Sequence, residues 1–96
     1  MQLHFEWDPR KAESNFRKHG VSFAEAAEVF HDPLALTLFD EDHSAHEERW
    51  VTLGQTSARR LVVVAHTWRD SDTGSLHVRI ISARPATSHE ARHHEG

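Results

Sequence analysis

The sequence predicts an α+β fold in which two N-terminal helices pack on one face of a four-stranded antiparallel sheet. Apolar residues recur at helical spacing across residues 9–31, which predicts the helices. From residue 34 onward the chain changes to short runs rich in β-branched and aromatic residues, separated by polar connectors, which predicts consecutive strands. With a short strand before the helices and a short helix at the end, the predicted order is β-α-α-β-β-β-β-α.

Local signals specify both ends of the first helix, which is predicted at about residues 9–19. Asp8 offers a side-chain oxygen for the N-cap, and Pro9 suits the first helical position, where no backbone N–H is needed. Gly20 fits the left-handed residue that follows many helix C-termini.

A capping box starts each of the other two predicted helices, because its first and fourth side chains satisfy each other's free backbone N–H groups. Ser22–Glu25 form the first box, and that helix runs to about residue 31, where Asp32-Pro33 ends it. Thr87–Glu90 form the second box and open a short C-terminal helix after Pro85.

The strands follow from period-2 patterns and β-branched runs bounded by turn residues. The predicted strands are residues 2–6, 34–39, 49–56, 60–68 and 76–84. Two longer polar loops, residues 40–48 and 69–75, separate them, whereas residues 57–59 form a tight turn.

Length and composition restrict the class of protein. The 96 residues predict one domain, and 38% hydrophobic with 27% charged residues predicts a soluble globular chain. No apolar run approaches the roughly 20 residues of a membrane span, and the N-terminus has no signal-peptide pattern. Because the chain has no cysteine, disulfides, thiolate zinc sites and cysteine nucleophiles are excluded, and a cytoplasmic location is expected.

Charge is distributed unevenly along the chain, whose formal net charge is −4. Residues 25–48 contain eight acids and no Lys or Arg. This stretch is either a solvated surface or a docking face for a basic partner. A local positive surface in the rest of the chain would still bind a polyanion, because local potential steers such a ligand more than net charge does.

Several words of the sequence, in this order, resemble the BrnT family of type II toxins: "FEWDP", "KHGVSF", "EER", "VVVAHT" and "RIISAR". The resemblance extends from Phe5 to about Glu90. It implies a RelE-like fold and a ribonuclease that blocks translation without a metal or other cofactor. It also implies a BrnA-type antitoxin whose N-terminal part wraps the toxin, with operator DNA bound only through that antitoxin.

Metal-independent RNA cleavage requires a deprotonated or aligned 2′-OH, stabilisation of the charged phosphorane, and a proton for the 5′-oxygen. Arginine serves the second task through charge-assisted hydrogen bonds, and His or Glu serves the others. On this chemistry and the resemblance, the candidate catalytic residues are His66, Arg79, Arg84, Arg49 and Glu48.

Each of these candidates has a structural alternative. His66 shares a face with buried valines and is either a general acid or base or a hydrogen-bonded histidine at a strand end. Arg79 is central in its predicted strand, and Arg84 ends the strand with its side chain on the opposite face. Because an unpaired buried cation is costly, each arginine either binds phosphate or forms a salt bridge. Arg49 and Glu48 are neighbours and form either part of the site or a local ion pair.

The candidate RNA-binding residues are Arg17, Lys18, His19 and Trp50. Basic residues in the last turn of a helix are favourable against the helix dipole, which explains the first three structurally. In the functional interpretation, Lys18 and His19 lie beside Arg79 and His66 as one wall of an RNA site. Trp50 either stacks on a base or belongs to the core or an interface.

Two other classes of function remain open at this stage. A non-catalytic module that binds protein or nucleic acid would use the same charged surfaces without cleavage. His89 and His93, four residues apart on the predicted last helix, form the start of a metal site but lack a specified third ligand, so no metal is predicted.

Overall fold

The computed structural model describes residues 2–95 and contains a mixed α+β fold. The strands are β1 (Gln2–Glu6), β2 (Leu36–Phe39), β3 (Trp50–Gln55), β4 (Leu61–Asp70) and β5 (Ser75–Pro85). The α-helices are α1 (Pro9–His19), α2 (Phe23–Ala27) and α3 (Ser88–Ala91). The end of the second predicted helix is a separate 3₁₀ turn, Glu28–His31, and a second 3₁₀ turn spans Glu41–His43.

All five strands form one sheet in the order β1-β5-β4-β3-β2. β2 to β5 pair antiparallel, but β1 lies parallel to β5, with Gln2 opposite Ser75 and Glu6 opposite Arg79. The predicted four-stranded antiparallel sheet with a separate short strand was therefore wrong in this respect. A parallel pair needs a long connection between its strands, so β1 has a partner some seventy residues away that local patterns do not reveal.

Side-chain caps begin the helices as predicted. The Asp8 carboxylate accepts a hydrogen bond from the Arg10 N–H at 2.8 Å, and Ser22 Oγ accepts one from the Glu25 N–H at 3.0 Å. Gly20 has a φ of 70°, and its N–H donates to the Phe16 carbonyl. Both reciprocal bonds of a capping box are present at the start of α3.

At the start of α2, the glutamate of the predicted capping box makes a different contact. Glu25 accepts hydrogen bonds from Nε and an Nη of Arg60, both at 3.0 Å, and one from the Thr56 hydroxyl. The side chain therefore ties α2 to the hairpin between β3 and β4 and does not close the local box.

The core lies between the sheet and the first two helices. Its fully buried apolar residues are Val21, Phe23, Ala26, Val29, Val62, Val64, Val78, Ile80 and Ala83. We call this side of the sheet the core face and the opposite side the outer face. Burial of this much apolar surface is the main stabilising contribution to a domain of this size.

One buried polar residue, Asn15, joins α1 to the end of β5. Its Nδ2 donates to the carbonyls of Val21 at 3.1 Å and Ala83 at 2.8 Å, and its Oδ1 accepts from the Ala83 N–H. The buried amide is thus paired on both sides, as burial of a polar group requires.

Gly54 lies where β3 passes under the first 3₁₀ turn. A Cβ added here would lie 2.7 Å from Cβ of Val29 and 3.0 Å from its carbonyl oxygen. We expect Gly54→Ala to lower the free energy of unfolding by about 1–3 kcal/mol, because backbone must move to relieve the overlap. Urea denaturation measures this, and an unchanged midpoint would contradict the close approach of the turn to β3.

Candidate active site

Alternation along β5 divides its side chains between the two faces of the sheet. Val78 and Ile80 are buried in the core at 0% and 1% exposure. Because successive side chains of a strand point to opposite faces, His77 and Arg79 lie on the outer face. The outer face therefore carries the central charged groups of the sheet.

Strand pairing extends these two positions into rows across three strands. Arg79 lies between Glu6 of β1 and Thr67 of β4 in one row. His77 lies between a histidine and an arginine, at positions 4 and 69, in the next row. The two rows are two residues apart along the strands, which is about 7 Å.

The rows line an open pocket of about 320 Å³, which we call the charged pocket. Its charged and titratable lining residues are Glu6, Glu47, Glu48, Arg69, His77 and Arg79. A guanidinium nitrogen of Arg79 donates to the Glu47 carboxylate, and both side chains are nearly half exposed. The His77 ring stacks on the ring of His4, with centroids 4.9 Å apart.

Four elements assemble the charged pocket. β4 and β5 supply the arginines and the histidine, β1 supplies Glu6, and the loop between β2 and β3 supplies Glu47 and Glu48. The pocket thus holds donors that match a phosphate, next to carboxylates and an imidazole that can accept or donate a proton.

The structure brings together two of the predicted catalytic residues, Arg79 and Glu48, both of which line the charged pocket. Arg49 precedes β3, whose first residue, Trp50, packs against Trp68. Strand alternation places Arg49 on the outer face, since Trp50 belongs to the core-face row of His66. Its Nε is buried and has no hydrogen-bond partner within residues 2–95.

His66, also predicted as catalytic, lies in the core with no exposed surface. Its Nε2 is 2.7 Å from the Thr52 hydroxyl, which is 2.8 Å from the Thr37 hydroxyl. The rings of Phe30 and Trp68 contact it edge-on. Burial lowers the pKa of His66 to about 4, so the imidazole is neutral at pH 7. The ring is hydrogen-bonded through Nε2, as in its structural alternative, but it lies inside β4 and not at a strand end. Its catalytic role stays a prediction, and its enclosure gives it no direct access to an RNA phosphate.

Arg84 has the structural role that its alternative predicted. Its guanidinium donates two hydrogen bonds to the Glu90 carboxylate, at 2.7 and 2.8 Å. These bonds hold the pKa of Glu90 near 2 and raise the pKa of Arg84. Since Glu90 also completes the capping box of α3, the pair attaches this helix to β5.

The predicted RNA-binding residues lie away from the charged pocket. Arg17 and Lys18 are exposed on the last turn of α1 beside the half-buried His19, and Arg17 donates to Glu13. Because α1 packs on the core face of β5 through Asn15, the sheet separates this turn from the outer-face arginine at position 79. The predicted wall joining the two groups is not formed.

Trp50 is half-buried in an aromatic cluster. Its ring lies 5.1 Å from Phe39 and 5.6 Å from Trp68, measured between centroids. Like His66, with which it pairs across β3 and β4, it belongs to the core face. Its position agrees with the structural alternative given for Trp50, and base stacking stays a prediction.

Sequence reasoning missed four of the residues in the charged pocket: Glu6, Glu47, Arg69 and His77. The alternation in "LHVRI" places His77 on the same face as Arg79, so the sequence alone could have identified His77. Glu6 depends on the pairing of β1 with β5, which no local pattern indicates.

Residues 2–95 contain no group of three or more His, Cys, Asp or Glu placed to hold a metal ion. His89 and His93 contact each other, with ring centroids 5.2 Å apart. No helix among these residues combines the length and the apolar character that crossing a membrane requires.

The fold and the charged pocket define a class: small α+β proteins that present arginine, histidine and carboxylate side chains on an open sheet face. The chain belongs to the BrnT family, since the model of the "ribonuclease toxin, BrnT, of type II toxin-antitoxin system" matches residues 7–90. This is a family of ribonuclease toxins, so the chain belongs to an endoribonuclease family. The type II system implies an antitoxin partner.

Solved structures include a similar fold. The crystal structure of the Brucella abortus ribonuclease toxin BrnT has a TM-score of 0.60 with this chain at 21% sequence identity. The match covers 92% of this chain and 100% of the Brucella chain. None of the curated protein sequences compared with this chain matches it.

The core position of His66 predicts an unusual titration. We expect its imidazole to titrate with a pKa of about 4 in the folded protein, because burial disfavours the charged form. NMR observation of the ring carbons across a pH series measures this value. A pKa near 6.5, the ordinary value for histidine, would contradict the enclosure of the ring.

The same burial makes stability depend on pH. Between about pH 6.5 and 4 the unfolded chain protonates this histidine and the native chain does not, so stability is lost as pH falls through that window. The total loss is on the order of 3 kcal/mol for this group. His66→Leu is the control, because subtracting the pH dependence of its free energy of unfolding removes the contribution of the other histidines. If the two proteins lose stability in parallel, His66 is not the cause.

Proposed function

We propose that this chain is a metal-independent endoribonuclease toxin that cleaves RNA at the charged pocket and thereby inhibits translation. It acts in the cytoplasm without a cofactor, and a BrnA-like antitoxin neutralises it and supplies the contacts to operator DNA. Family membership supports the ribonuclease class. The observation that carries the site is Arg79, half exposed on the outer face among carboxylates and an imidazole.

Arg79 binds the scissile phosphate in this proposal. The guanidinium donates to the Glu47 carboxylate, and both side chains are nearly half exposed. A phosphate replaces the carboxylate with equivalent acceptor oxygens, and the planar guanidinium matches its geometry. Arg69, in the next row, adds a second cation where negative charge develops in the phosphorane.

Proton transfer needs a base and an acid on opposite sides of that phosphate. Glu48 comes from the loop and His77 from β5, so the two line the pocket from different elements. Glu48 takes the proton of the 2′-OH as its oxygen attacks phosphorus. The bond from phosphorus to the 5′-oxygen then breaks, and that oxygen takes a proton from His77. The products are a 2′,3′-cyclic phosphate and a 5′-hydroxyl.

A matched pair of arginine variants tests this site. Arg79 and Arg17 each donate from an exposed guanidinium to a glutamate, but they lie on opposite sides of the sheet. We expect Arg79→Ala to slow RNA cleavage in EDTA about 100-fold or more, since one preorganised charge stabiliser is lost. Arg17→Ala is expected to cleave at nearly the wild-type rate, with both variants folded by circular dichroism.

The outcomes separate the alternatives. Equal activity in Arg79→Ala and Arg17→Ala would remove the charged pocket as the active site. Cleavage that EDTA abolishes would remove metal independence. Wild-type protein that binds RNA without cleaving it would support the non-catalytic binding module and contradict the proposal.

A further inference from the structure

A second, apolar surface lies on the outer face, at the other end of the sheet from the charged pocket. Leu36 pairs with Leu53, and Leu53 pairs with Val63, which gives one apolar row across β2, β3 and β4. Leu38 pairs with Val51 in the row beside it. These five residues line a groove of about 140 Å³, which we call the β2 groove.

The β2 groove is open to solvent at its outer side. Leu38 is 73% exposed and Leu36 is 41% exposed, whereas Leu53 and Val63 form the buried floor. Glu90 and His93 of the C-terminal segment line the opposite end. A contiguous exposed apolar patch is typical of an interaction surface, whereas scattered single apolar residues are not.

Within residues 2–95, the backbone of β2 also has no strand partner on one side. β2 is the last strand in the sheet order, so its outward N–H and C=O groups face away from β3. An extended segment of another protein can pair with such an edge, while its alternate side chains enter pockets on one face. The spacing of Leu36 and Leu38 matches that two-residue period.

The charge of the loop after β2 indicates which kind of segment would bind the β2 groove. The loop that follows β2, residues 40–48, has five acids and no Lys or Arg, and Glu41 and Asp42 are exposed. A strand paired with β2 runs past this loop, where basic side chains would be favoured. A second copy of this chain that paired through its own β2 would bring no such cation, because residues 25–48 contain no Lys or Arg.

We propose that the β2 groove and the edge of β2 dock an extended segment of the antitoxin that has alternating apolar residues and at least one Lys or Arg. The segment adds a sixth strand beside β2, buries Leu36 and Leu38, and places its cations against residues 40–48. This inference rests on the antitoxin partnership in the proposed function. It does not depend on the chemistry of the charged pocket.

Two exposed apolar residues provide the variant and its control. Leu38 is 73% exposed in the β2 groove, and Phe16 is 55% exposed on α1. The probe is the small protein encoded by the reading frame adjacent to this chain's gene, co-expressed and purified as the complex. We expect Leu38→Asp to weaken the complex about ten-fold or more, and Phe16→Asp to leave its affinity nearly unchanged. Hydrogen exchange is expected to slow at the β2 amides in the complex.

Several results would overturn the docking surface. These are no complex, equal affinities for the two variants, or a complex that leaves the β2 amides unprotected. A free chain that is dimeric by light scattering and becomes monomeric in Leu38→Asp would assign the groove to a second copy instead. RNA cleavage by the free Leu38→Asp protein is measured in parallel. Retained cleavage with any overturning result removes this surface and leaves the ribonuclease proposal in place.

Discussion

The alternation of side chains along β5 is the constraint on which the rest of the structure depends. Val78 and Ile80 are buried under the helices, and this fixes His77 and Arg79 on the outer face. β5 pairs with β1 on one side and β4 on the other, so its register also places their side chains. A one-residue slip would move Arg79 into the core, where an unpaired cation is strongly disfavoured.

A β-bulge in the pairing of β4 with β5 changes which face the side chains near the end of β5 occupy. Ala65 pairs with Ser82 and His66 pairs with Ile80, so the register shifts by one residue. Simple alternation would put Arg84 on the face opposite Arg79. The bulge returns Arg84 to the outer face, opposite Val63, where it holds Glu90 and hence α3. The Arg84–Glu90 ion pair therefore lies beside the apolar residues of the β2 groove.

Local features of the fold were predictable because local interactions determine them. The ends of α1 follow from Asp8 and Gly20, whose caps need only the neighbouring backbone. The partner of β1 was not predictable, since it depends on packing between distant parts of the chain. The same limit applies to the site. Arg79 was placed among the candidates because a mid-strand arginine is informative by itself, but Glu6 enters the pocket only through the β1–β5 pairing.

The central claim is that RNA binds the outer face of the sheet and not the helices on the core face. Side-chain NMR with an uncleavable 2′-O-methyl RNA oligonucleotide tests this most directly. Guanidinium and imidazole signals report on each candidate residue separately. If RNA binds at the charged pocket as proposed, we expect shifts for Arg79, Arg69 and His77, with Arg17 unaffected on the far side of the sheet. Shifts confined to the last turn of α1, with the signals of the charged pocket unchanged, would contradict the assignment of RNA binding to the outer face.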